Sequence, residues 1–383
     1  MEPESRENVM PISTRGAVLR ESPGRYEVVD LELDDPRQGE VTVKLAASGL
    51  CHSDDHAATG DLPVGIHPFC GGHEGAGVVT AVGPHTPGFE PGDHVVFSFL
   101  PACGTCEFCA RGLQNLCHLG ATLLTGARAD DPTSYRLSLD GRPVGQQCGI
   151  STFAEYTTAS VDSLVRIDKD VPLELACLLS CGVPTGWGAA VNTAGVRPGD
   201  TVIVMGIGGI GANAVQGAAH AGASTVIAVD PVEFKRDTAR ELGATHAYAD
   251  LREAADHARS VTNGQGADAV IVAVGVTGGE HLATALGAIR KAGTVVVTGL
   301  GSHRATDVPL RLNDLVLMQK SVKGSLFGEA APGCDIPALV RLWRQGVLEL
   351  DELVTTRYPL DEVAKAYDDM HAGRNIRGVL VFD

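Results

Sequence analysis

Four cysteines lie close together in the first third of the chain, in the spacing C-x2-C-x2-C-x7-C; they are Cys103, Cys106, Cys109 and Cys117. Four thiolates complete a tetrahedral shell around Zn²⁺ and leave no position for a substrate. The spacing therefore predicts a structural zinc site, in a lobe at about residues 101–119. The alternatives are unliganded thiols or an iron–sulfur cluster, although the bacterial cluster pattern ends in C-x3-C-P and the last gap here is seven residues.

A glycine-rich loop follows directly after an apolar stretch of strand length, Thr201–Met205. A G-x-G-x-x-G loop between a predicted strand and a predicted helix is typical of dinucleotide-binding sites. Gly206 would permit the tight turn, Gly208 would let backbone N–H groups reach a pyrophosphate, and Gly211 would let the helix pack closely on the sheet. A glycine-rich turn without a ligand is the alternative. The loop consists of Gly206, Ile207, Gly208, Gly209, Ile210 and Gly211.

An acidic residue, Asp230, stands at the end of the next predicted strand, Thr225–Val229. Dinucleotide-binding folds place an acid at this point to bind the adenosine ribose. Its carboxylate would accept hydrogen bonds from the ribose hydroxyls and repel a 2′-phosphate, so the sequence predicts NAD rather than NADP. Lys235, five residues later, could contact the same ribose.

Three further residues of metal-ligand type are far apart in the sequence. Cys51 lies in the stretch GLCHSD, His73 in GHEG and Cys181 in SCG. Spacing alone cannot assemble them into a site, because more than 20 residues separate each from the next. The residues by themselves therefore leave open whether the three share a metal ion.

Taken together, these motifs resemble those of the zinc-containing medium-chain alcohol dehydrogenases. The matching segments are the CHSD stretch with His56, the GHEGAG run at residues 72–77, the four-cysteine lobe, Cys181-Gly182 and the loop at residues 206–211. The resemblance extends from about Arg15 to Asp383. More narrowly, the chain resembles a subgroup assayed with the dye N,N-dimethyl-4-nitrosoaniline (NDMA), in which the nicotinamide cofactor stays bound.

The resemblance implies a catalytic zinc ion bound by Cys51, His73 and Cys181, the Cys2His ligand set of alcohol dehydrogenases. Such an ion keeps one position open, where it would lower the pKa of a substrate hydroxyl before hydride passes to the nicotinamide. Ser53 matches the residue that takes the substrate proton. His56 matches the end of the proton relay near the surface, a role that suits an imidazole.

Other positions acquire supporting roles from the same resemblance. Asp54 would orient His73 by accepting its second N–H, and Glu74 would lie close to the metal, as an outer-sphere group or a transient ligand. His52 replaces an arginine that often contacts the pyrophosphate, which should weaken phosphate binding unless His52 is protonated. The remaining cofactor-contacting positions are Thr185 and Arg377. The apolar substrate pocket, which predicts an uncharged alcohol, would contain Leu62, Phe99, Leu300 and Leu326. Cys70, Cys148, Cys177 and Cys334 match no ligand position and are predicted as small buried residues.

The predicted fold is of the α/β class. From about Arg15 to Ile150, short strands and Gly/Pro-rich turns predict an irregular β unit, with residues 118–150 as a polar loop. From about Val183 to Leu326, apolar strands alternate with helices, which predicts a doubly wound parallel sheet of six strands. Two helices and a strand end the chain. The six strands are Thr201–Met205, Thr225–Val229, His246–Tyr248, Ala269–Val274, Thr294–Thr298 and Ser321–Ser325.

The resemblance to this family implies that these segments form two domains. Residues 1–182 and 327–383 would make a GroES-like catalytic domain that carries the cysteine lobe. Residues 183–326 would make an NAD-binding Rossmann domain.

Composition limits the partners and the location. The chain has 383 residues and a formal net charge of −17, which disfavours nucleic acid and anionic membranes as partners. No apolar run approaches the roughly 18 residues of a spanning helix, and the polar start MEPESRENVM has no signal-peptide core. We therefore expect a cytoplasmic chain, in which ten cysteines indicate metal sites or catalysis rather than disulfides.

The leading functional hypothesis is a zinc-dependent alcohol dehydrogenase that interconverts alcohols and aldehydes or ketones with NAD. The second is a nicotinoprotein that keeps NAD(H) bound and passes electrons to another acceptor. Oxidation of a formaldehyde–thiol adduct is disfavoured, because residues 119–125 contain no basic side chain, although Arg128 is nearby. A non-catalytic scaffold is disfavoured because all seven metal ligands are present. We expect a homo-oligomer, and the long segment 118–150 favours a dimer.

Overall fold

Short β-strands connected by turns and loops are the main regular structure of residues 12–170. The structure, a computed structural model, describes residues 12–383. The strands are β1 (Ile12–Leu19), β2 (Glu27–Leu33), β3 (Glu40–Gly49), β4 (Phe69–Cys70), β5 (Gly75–Val82), β6 (His94–Phe97), β7 (Leu137–Leu139), β8 (Arg142–Gln146), β9 (Tyr156–Ser160) and β10 (Leu164–Ile167). The helices are α1 (His52–Thr59), α2 (Glu107–Ala110), α3 (Leu173–Ala176) and α4 (Gly182–Gly188).

Strands and helices alternate in the next part of the chain. The strands are β11 (Thr201–Met205), β12 (Thr225–Val229), β13 (His246–Tyr248), β14 (Ala267–Val272), β15 (Ile289–Val297) and β16 (Ser321–Gly324). The helices are α5 (Gly209–His220), α6 (Glu233–Glu241), α7 (Leu251–Val261), α8 (Gly279–Ala288) and α9 (Leu312–Leu317). All strand pairs are parallel, in the order β13-β12-β11-β14-β15-β16. This is the strand order of a dinucleotide-binding sheet, so the predicted doubly wound fold is confirmed.

Both faces of this parallel sheet are buried. Val202 and Val204 pack into one hydrophobic cluster, while Ile203 between them packs into the other. Successive side chains of a strand point to opposite faces, so helices must cover the sheet on both sides. Because both faces are covered, these strands consist of continuous apolar residues, and this pattern allowed them to be predicted from the sequence. The predicted strands at residues 201–205, 225–229 and 246–248 match the observed ones.

The end of the chain returns to the first part. It contains α10 (Pro332–Arg344), β17 (Val354–Pro359), α11 (Val363–His371) and β18 (Arg377–Val381). Strand β18 pairs with β3, and the sheet has the order β10-β6-β5-β3-β18-β17, with β9 also on β3. Strands β1, β2, β7, β8 and β4 close a small barrel beside it. The predicted irregular β unit and the α/β class are therefore confirmed.

The prediction of a polar loop over residues 118–150 is wrong in part, because this segment supplies β7 and β8 to the barrel. These strands are three and five residues long, too short to show a period of two in the sequence. Their backbone groups are paired through β2 and β4, so distant strands stabilise them.

Helix α4 was also not predicted from the sequence. Its seven residues, GVPTGWG, include three glycines and a proline, all poor helix formers. All seven are buried, so packing outweighs the weak local preference. Over residues 12–383, none of the helices combines the length and apolar character that crossing a bilayer requires.

Candidate active site

Helix α1 begins where β3 ends, and its first turn carries several of the predicted site residues. Cys51 is the N-cap residue, with extended backbone angles. The Cys51 backbone N–H donates to Asp54 Oδ2 at 3.2 Å, which fixes the start of the helix. The Ser53 hydroxyl lies 3.8 Å from Cys51 Sγ. One tight turn thus places a thiol, a hydroxyl and a carboxylate side by side.

His73 lies just before β5, and Asp54 orients its ring. His73 Nδ1 is 2.7 Å from Asp54 Oδ1, and both side chains are fully buried. A carboxylate accepts hydrogen bonds, so Nδ1 carries the proton and Nε2 keeps a free lone pair. His73 Nε2 is buried and has no hydrogen-bond partner among the described residues. The geometry that we predicted for Asp54 is therefore present.

Four potential ligands converge at this point. One ligand atom each from Cys51, His73, Glu74 and Cys181 lies within 4.8 Å of the other three. Cys181 is the N-cap residue of α4, so the packing of that helix brings it to the site. Glu74 Oε1 is buried without a partner, as is His73 Nε2. Two thiols, an imidazole lone pair and an orphaned carboxylate oxygen suit a bound zinc ion, which would satisfy these atoms.

Glu74 is paired with a second predicted residue. Its Oε2 atom accepts a hydrogen bond from Arg377 Nη2, and both side chains are buried. Arg377 also donates to the Leu50 backbone carbonyl at 3.2 Å. Burial raises the pKa of the Glu74 carboxyl to about 7, against the opposing positive charge of Arg377. The charged Arg377 side chain is thus fixed next to Glu74 and lines the cofactor cleft.

The four-cysteine lobe has the geometry of a second zinc site. One sulfur atom from each of Cys103, Cys106, Cys109 and Cys117 lies within 4.8 Å of the others. The Cys103–Cys109 and Cys106–Cys117 sulfur distances are 4.0 and 3.9 Å. Sulfurs about 2.3 Å from a tetrahedral zinc ion lie roughly 3.8 Å apart, so the four thiols fit one ion. Disulfides are much shorter, and all ten cysteines are free.

The remaining cysteines are not arranged as ligands. Burial raises the pKa of both the Cys70 and the Cys148 thiol to about 12 and also raises that of Cys177, so these three stay protonated. They are the small buried residues that we predicted. The same prediction is wrong for Cys334, which is exposed near the start of α10.

An apolar cavity of about 480 Å³ opens beside the converging ligands. Ser53 and His73 lie in its wall, and the other lining residues are mainly apolar. The wall includes the predicted residues Leu62, Phe99 and Leu300, together with Val64, Leu123 and Leu124. Leu326, also predicted, is not part of the wall and is 44% exposed.

A second, larger space of about 600 Å³ follows the glycine loop. It is lined by residues 205–210 and by Asp230, Lys235, His52 and Arg377, as a dinucleotide cleft requires. Ser53 and Leu300 line both this cleft and the apolar cavity, so the two spaces meet there. The expected hydride donor and acceptor would therefore be adjacent.

The loop glycines have the backbone geometry that a tight turn and a closely packed helix start require. Gly206 has a φ of +89°, a conformation that side chains other than hydrogen disfavour. A Cβ atom on Gly211 would lie 1.8 Å from the Gly206 carbonyl oxygen, so only glycine lets α5 start this close to the strand. Gly208 faces open space, which leaves its backbone accessible.

Asp230 ties the loop to β12. Its Oδ2 atom accepts a hydrogen bond from the Ile207 backbone N–H at 2.8 Å, and Oδ1 accepts one from Val232 at 2.9 Å. The carboxylate is thus held rigidly at the end of the strand. In the same cleft, burial lowers the pKa of His52, so its ring is mainly neutral at pH 7.

Two predicted residues lie elsewhere than expected. We expected His56 near the surface, but its side chain is 3% exposed, and its Nε2 atom lies 3.1 Å from the Gly275 carbonyl oxygen. Thr185 does not line the cleft; its hydroxyl lies 3.9 Å from Cys181 Sγ, one turn along α4. Gln147, which was not predicted as a site residue, also lies in the cavity wall. No motif marks it, since its position depends on the β8 strand that was not predicted.

Comparison with known proteins identifies the family. A profile described as "Zinc-binding dehydrogenase" matches residues 209–344, and one described as "Alcohol dehydrogenase GroES-like domain" matches residues 37–169. The NDMA-dependent alcohol dehydrogenase of Amycolatopsis methanolica is 51% identical over 370 residues, covering 97% of this chain and 99% of the relative. The chain belongs to the zinc-containing medium-chain alcohol dehydrogenase family.

Solved structures show the same relationship. An alcohol dehydrogenase zinc-binding domain protein from Burkholderia ambifaria superposes with a TM-score of 0.89 at 35% identity, covering 97% of this chain and 99% of that one. Benzyl alcohol dehydrogenase from Acinetobacter calcoaceticus gives a TM-score of 0.89 at 31% identity, covering 97% and 100%. This dehydrogenase is thus an oxidoreductase that uses zinc and NAD to act on alcohols, as the leading hypothesis stated.

Proposed function

We propose that Cys51, His73 and Cys181 hold the catalytic zinc ion and that the chain interconverts uncharged alcohols with aldehydes or ketones in the adjoining cavity. The observation that carries this proposal is the convergence of these three ligands, with Glu74, beside an apolar cavity that opens onto the glycine-loop cleft. When bound, zinc supplies a Lewis acid that lowers the pKa of a substrate hydroxyl, and NAD supplies the hydride acceptor.

Side chains of the protein provide proton transfer and position the ligand residues. Ser53 receives the hydroxyl proton, because it lies in the wall at the junction of cavity and cleft. His56, which lines the same cleft, carries that proton onward. Asp54 orients the His73 ring by accepting a hydrogen bond from His73 Nδ1–H, and Glu74 accepts a hydrogen bond from Arg377. The apolar wall excludes water, which strengthens every electrostatic contact within the site.

The cofactor residues follow from the cleft. Gly206, Gly208, Gly209 and Ile210 present the backbone to the pyrophosphate at the start of α5, where the helix dipole favours an anion. Asp230 and Lys235 bind the adenosine ribose, so NAD is preferred to NADP. Arg377 and His52 line the same cleft and would lie beside the phosphates, whereas Thr185, which does not line the cleft, is not included among the proposed cofactor contacts.

A second proposal concerns the fate of the cofactor. The Amycolatopsis methanolica relative is NDMA-dependent, and we propose that this chain likewise keeps NAD(H) bound between turnovers and reduces another acceptor. A contact near the junction supports retention. Both the backbone N–H and Nδ1 of His303 lie within hydrogen-bonding distance of the Asp61 carbonyl oxygen, at 3.1 and 2.9 Å. This contact joins the segment after β15 to the loop after α1.

Heating the purified chain should release about one NAD(H) per chain. A panel of uncharged alcohols should then show steady dye reduction with NDMA by the native protein, and little reduction of added NAD, because the bound dinucleotide does not exchange. The released nucleotide can be quantified by chromatography. A native protein that contains no dinucleotide and reduces added NAD with ordinary saturation kinetics would contradict retention, while leaving the zinc-dependent reaction in place.

The His303 contact gives a separate test of retention. His303→Ala removes the ring hydrogen bond and should raise the NADH dissociation rate about two- to fivefold, the change for one exposed bond of ~0.5–1 kcal/mol. Stopped-flow displacement of NADH measures this rate. Arg304→Ala is the matched control, because Arg304 is the exposed neighbour and makes no contact with Asp61. Equal rates in both variants would show that the contact does not retard release.

The thiol-adduct alternative is disfavoured by the surroundings of Arg128. Its side chain is 1% exposed and is bonded to Glu40 Oε1 at 3.0 Å, so it cannot anchor a substrate carboxylate. The scaffold alternative is disfavoured because both metal-ligand groups are assembled. About one zinc ion or less per chain would revive it.

The domain division follows the sheets. We propose residues 1–182 and 327–383 as the GroES-like domain and residues 183–326 as the Rossmann domain, because β17 and β18 complete the first sheet and β11–β16 form the second. The proposed location is the cytoplasm, where free thiols stay available as ligands. We propose a homodimer, because Leu312, Val316 and Leu317 of α9 are each more than 70% exposed beside the edge strand β16.

A further inference from the structure

Gln147 is a polar residue in the wall of the apolar cavity that has no role in the proposed reaction centre. Gln147 is 2% exposed, and its Oε1 atom forms no hydrogen bond with the residues that the structure describes. The backbone of Gln147 is tightly fixed: its N–H donates to Ser151 Oγ at 2.9 Å, and its carbonyl accepts from Ile150 and Ser151 at 3.0 Å. The turn after β8 therefore holds this amide against the cavity.

The other polar groups of the wall have assigned uses. Thr125 Oγ1 donates to the Thr122 carbonyl at 2.8 Å, so its hydroxyl is satisfied internally. Ser53 and His73 belong to the reaction centre described above. A buried amide oxygen without a partner is costly, and such a group in a folded protein requires an explanation, of which a bound ligand is one and an ordered water is another. Gln147 is thus the polar group of the wall that still requires a partner.

We infer that Gln147 recognises a second hydroxyl group on the substrate, at a distance from the carbon that reacts. A hydroxyl both donates and accepts, so it can pair with this amide whichever way the amide is turned. The cavity of about 480 Å³ is many times larger than the smallest alcohols need, which leaves room for an apolar frame between the two hydroxyls. The substrate class is therefore apolar alcohols with a distal hydroxyl, such as linear diols or hydroxybenzyl alcohols. This inference rests on the proposed function, because it takes the cavity as the alcohol site.

The test compares pairs of alcohols that have the same shape and differ in the distal group. Each linear diol is paired with the alkanol in which methyl replaces the distal hydroxyl, and 4-hydroxybenzyl alcohol is paired with 4-methylbenzyl alcohol. For the pair whose length fits the site, the native holoenzyme should have a higher kcat/KM for the hydroxylated member. Gln147→Met, which keeps the length and removes the amide, should lower that preference about tenfold, mainly through KM.

A binding measurement makes the test independent of turnover. With the NAD-loaded protein, Gln147→Met should weaken the binding of 4-hydroxybenzaldehyde about tenfold relative to that of 4-methylbenzaldehyde, so the ratio of the two dissociation constants should shift in the same direction as the kinetic preference. The melting temperature should stay within a few degrees of the native value, because the fold depends on the backbone contacts of Gln147. Thr125→Val is the matched control: it removes a hydroxyl from the same wall but should leave the preference unchanged.

Two results would overturn the inference. One is an equal preference in the native protein and Gln147→Met, which would mean that water satisfies the amide. The other is a native preference for the methyl member of every pair. A native holoenzyme that oxidises none of these alcohols would instead refute the proposed function. The ratio of the aldehyde dissociation constants would still decide whether Gln147 recognises a hydroxyl group.

Discussion

Replacing Cys51 with serine should abolish alcohol turnover and leave the fold intact. Serine is a much weaker zinc ligand than a thiolate, so the catalytic ion should be lost or misplaced. The Lewis acid contributes several kcal/mol to the reaction, and each 1.4 kcal/mol is about tenfold, so kcat/KM should fall by roughly a thousandfold or more. The measurement is alcohol oxidation with NDMA and with added NAD, together with zinc content, which should fall from two ions per chain to one.

The matched control for this experiment is Cys334→Ser. Cys334 is exposed and lies outside both metal-ligand groups, so this variant makes the same chemical change where no metal is expected. It should keep two zinc ions and native activity. Far-ultraviolet circular dichroism should be the same for both variants. Native-level turnover by Cys51→Ser would show that the proposed metal centre does not carry the reaction.

Removing one ligand of the cysteine lobe should have a different effect, on stability. In Cys109→Ser, three thiolates remain, and the lobe loses the ion that holds its loops together. Over residues 103–117 the structure describes only one four-residue helix and one three-residue 3₁₀ turn, so little other structure stabilises this lobe. We expect the free energy of unfolding to fall by about 4 kcal/mol, the size associated with losing a metal. Melting temperature and zinc content measure it.

The two cysteine variants should separate the roles of the two ions. Cys51→Ser should lose turnover with little change in melting temperature, whereas Cys109→Ser should melt earlier. Iron instead of zinc in the native lobe would establish the iron–sulfur alternative. A melting temperature equal to that of Cys334→Ser would mean that the lobe does not need its fourth thiolate.

Local patterns made part of the molecule predictable. The glycine loop carries its own turn and helix start, so Gly206 and Gly211 could be assigned backbone roles that the structure bears out. The strands of the parallel sheet are apolar on both faces, and this made their positions visible. The four cysteines lie within one short segment, so their spacing alone indicated a metal-binding group.

Tertiary contacts decided the rest. Cys181 belongs to the site as the N-cap residue of α4, and the sequence of α4 does not itself favour a helix. The buried ring of His56 contacts the Gly275 carbonyl oxygen, which is more than 200 residues away in the sequence. Gln147 reaches the cavity wall through a short strand with no readable period. A family resemblance could supply the ligand set, but the residues alone could not.

Ser53 and Leu300 form a boundary that the cavity and the cleft have in common. If the dinucleotide never leaves its cleft, the molecule that reduces it and the molecule that reoxidises it must approach the same ring by the same route. Each must depart before the other enters, and the chain then alternates between two redox states in a ping-pong cycle. The same cavity must then accommodate both the alcohol and the oxidising acceptor. A substitution that changes the preferred alcohol should therefore also change the preferred oxidant.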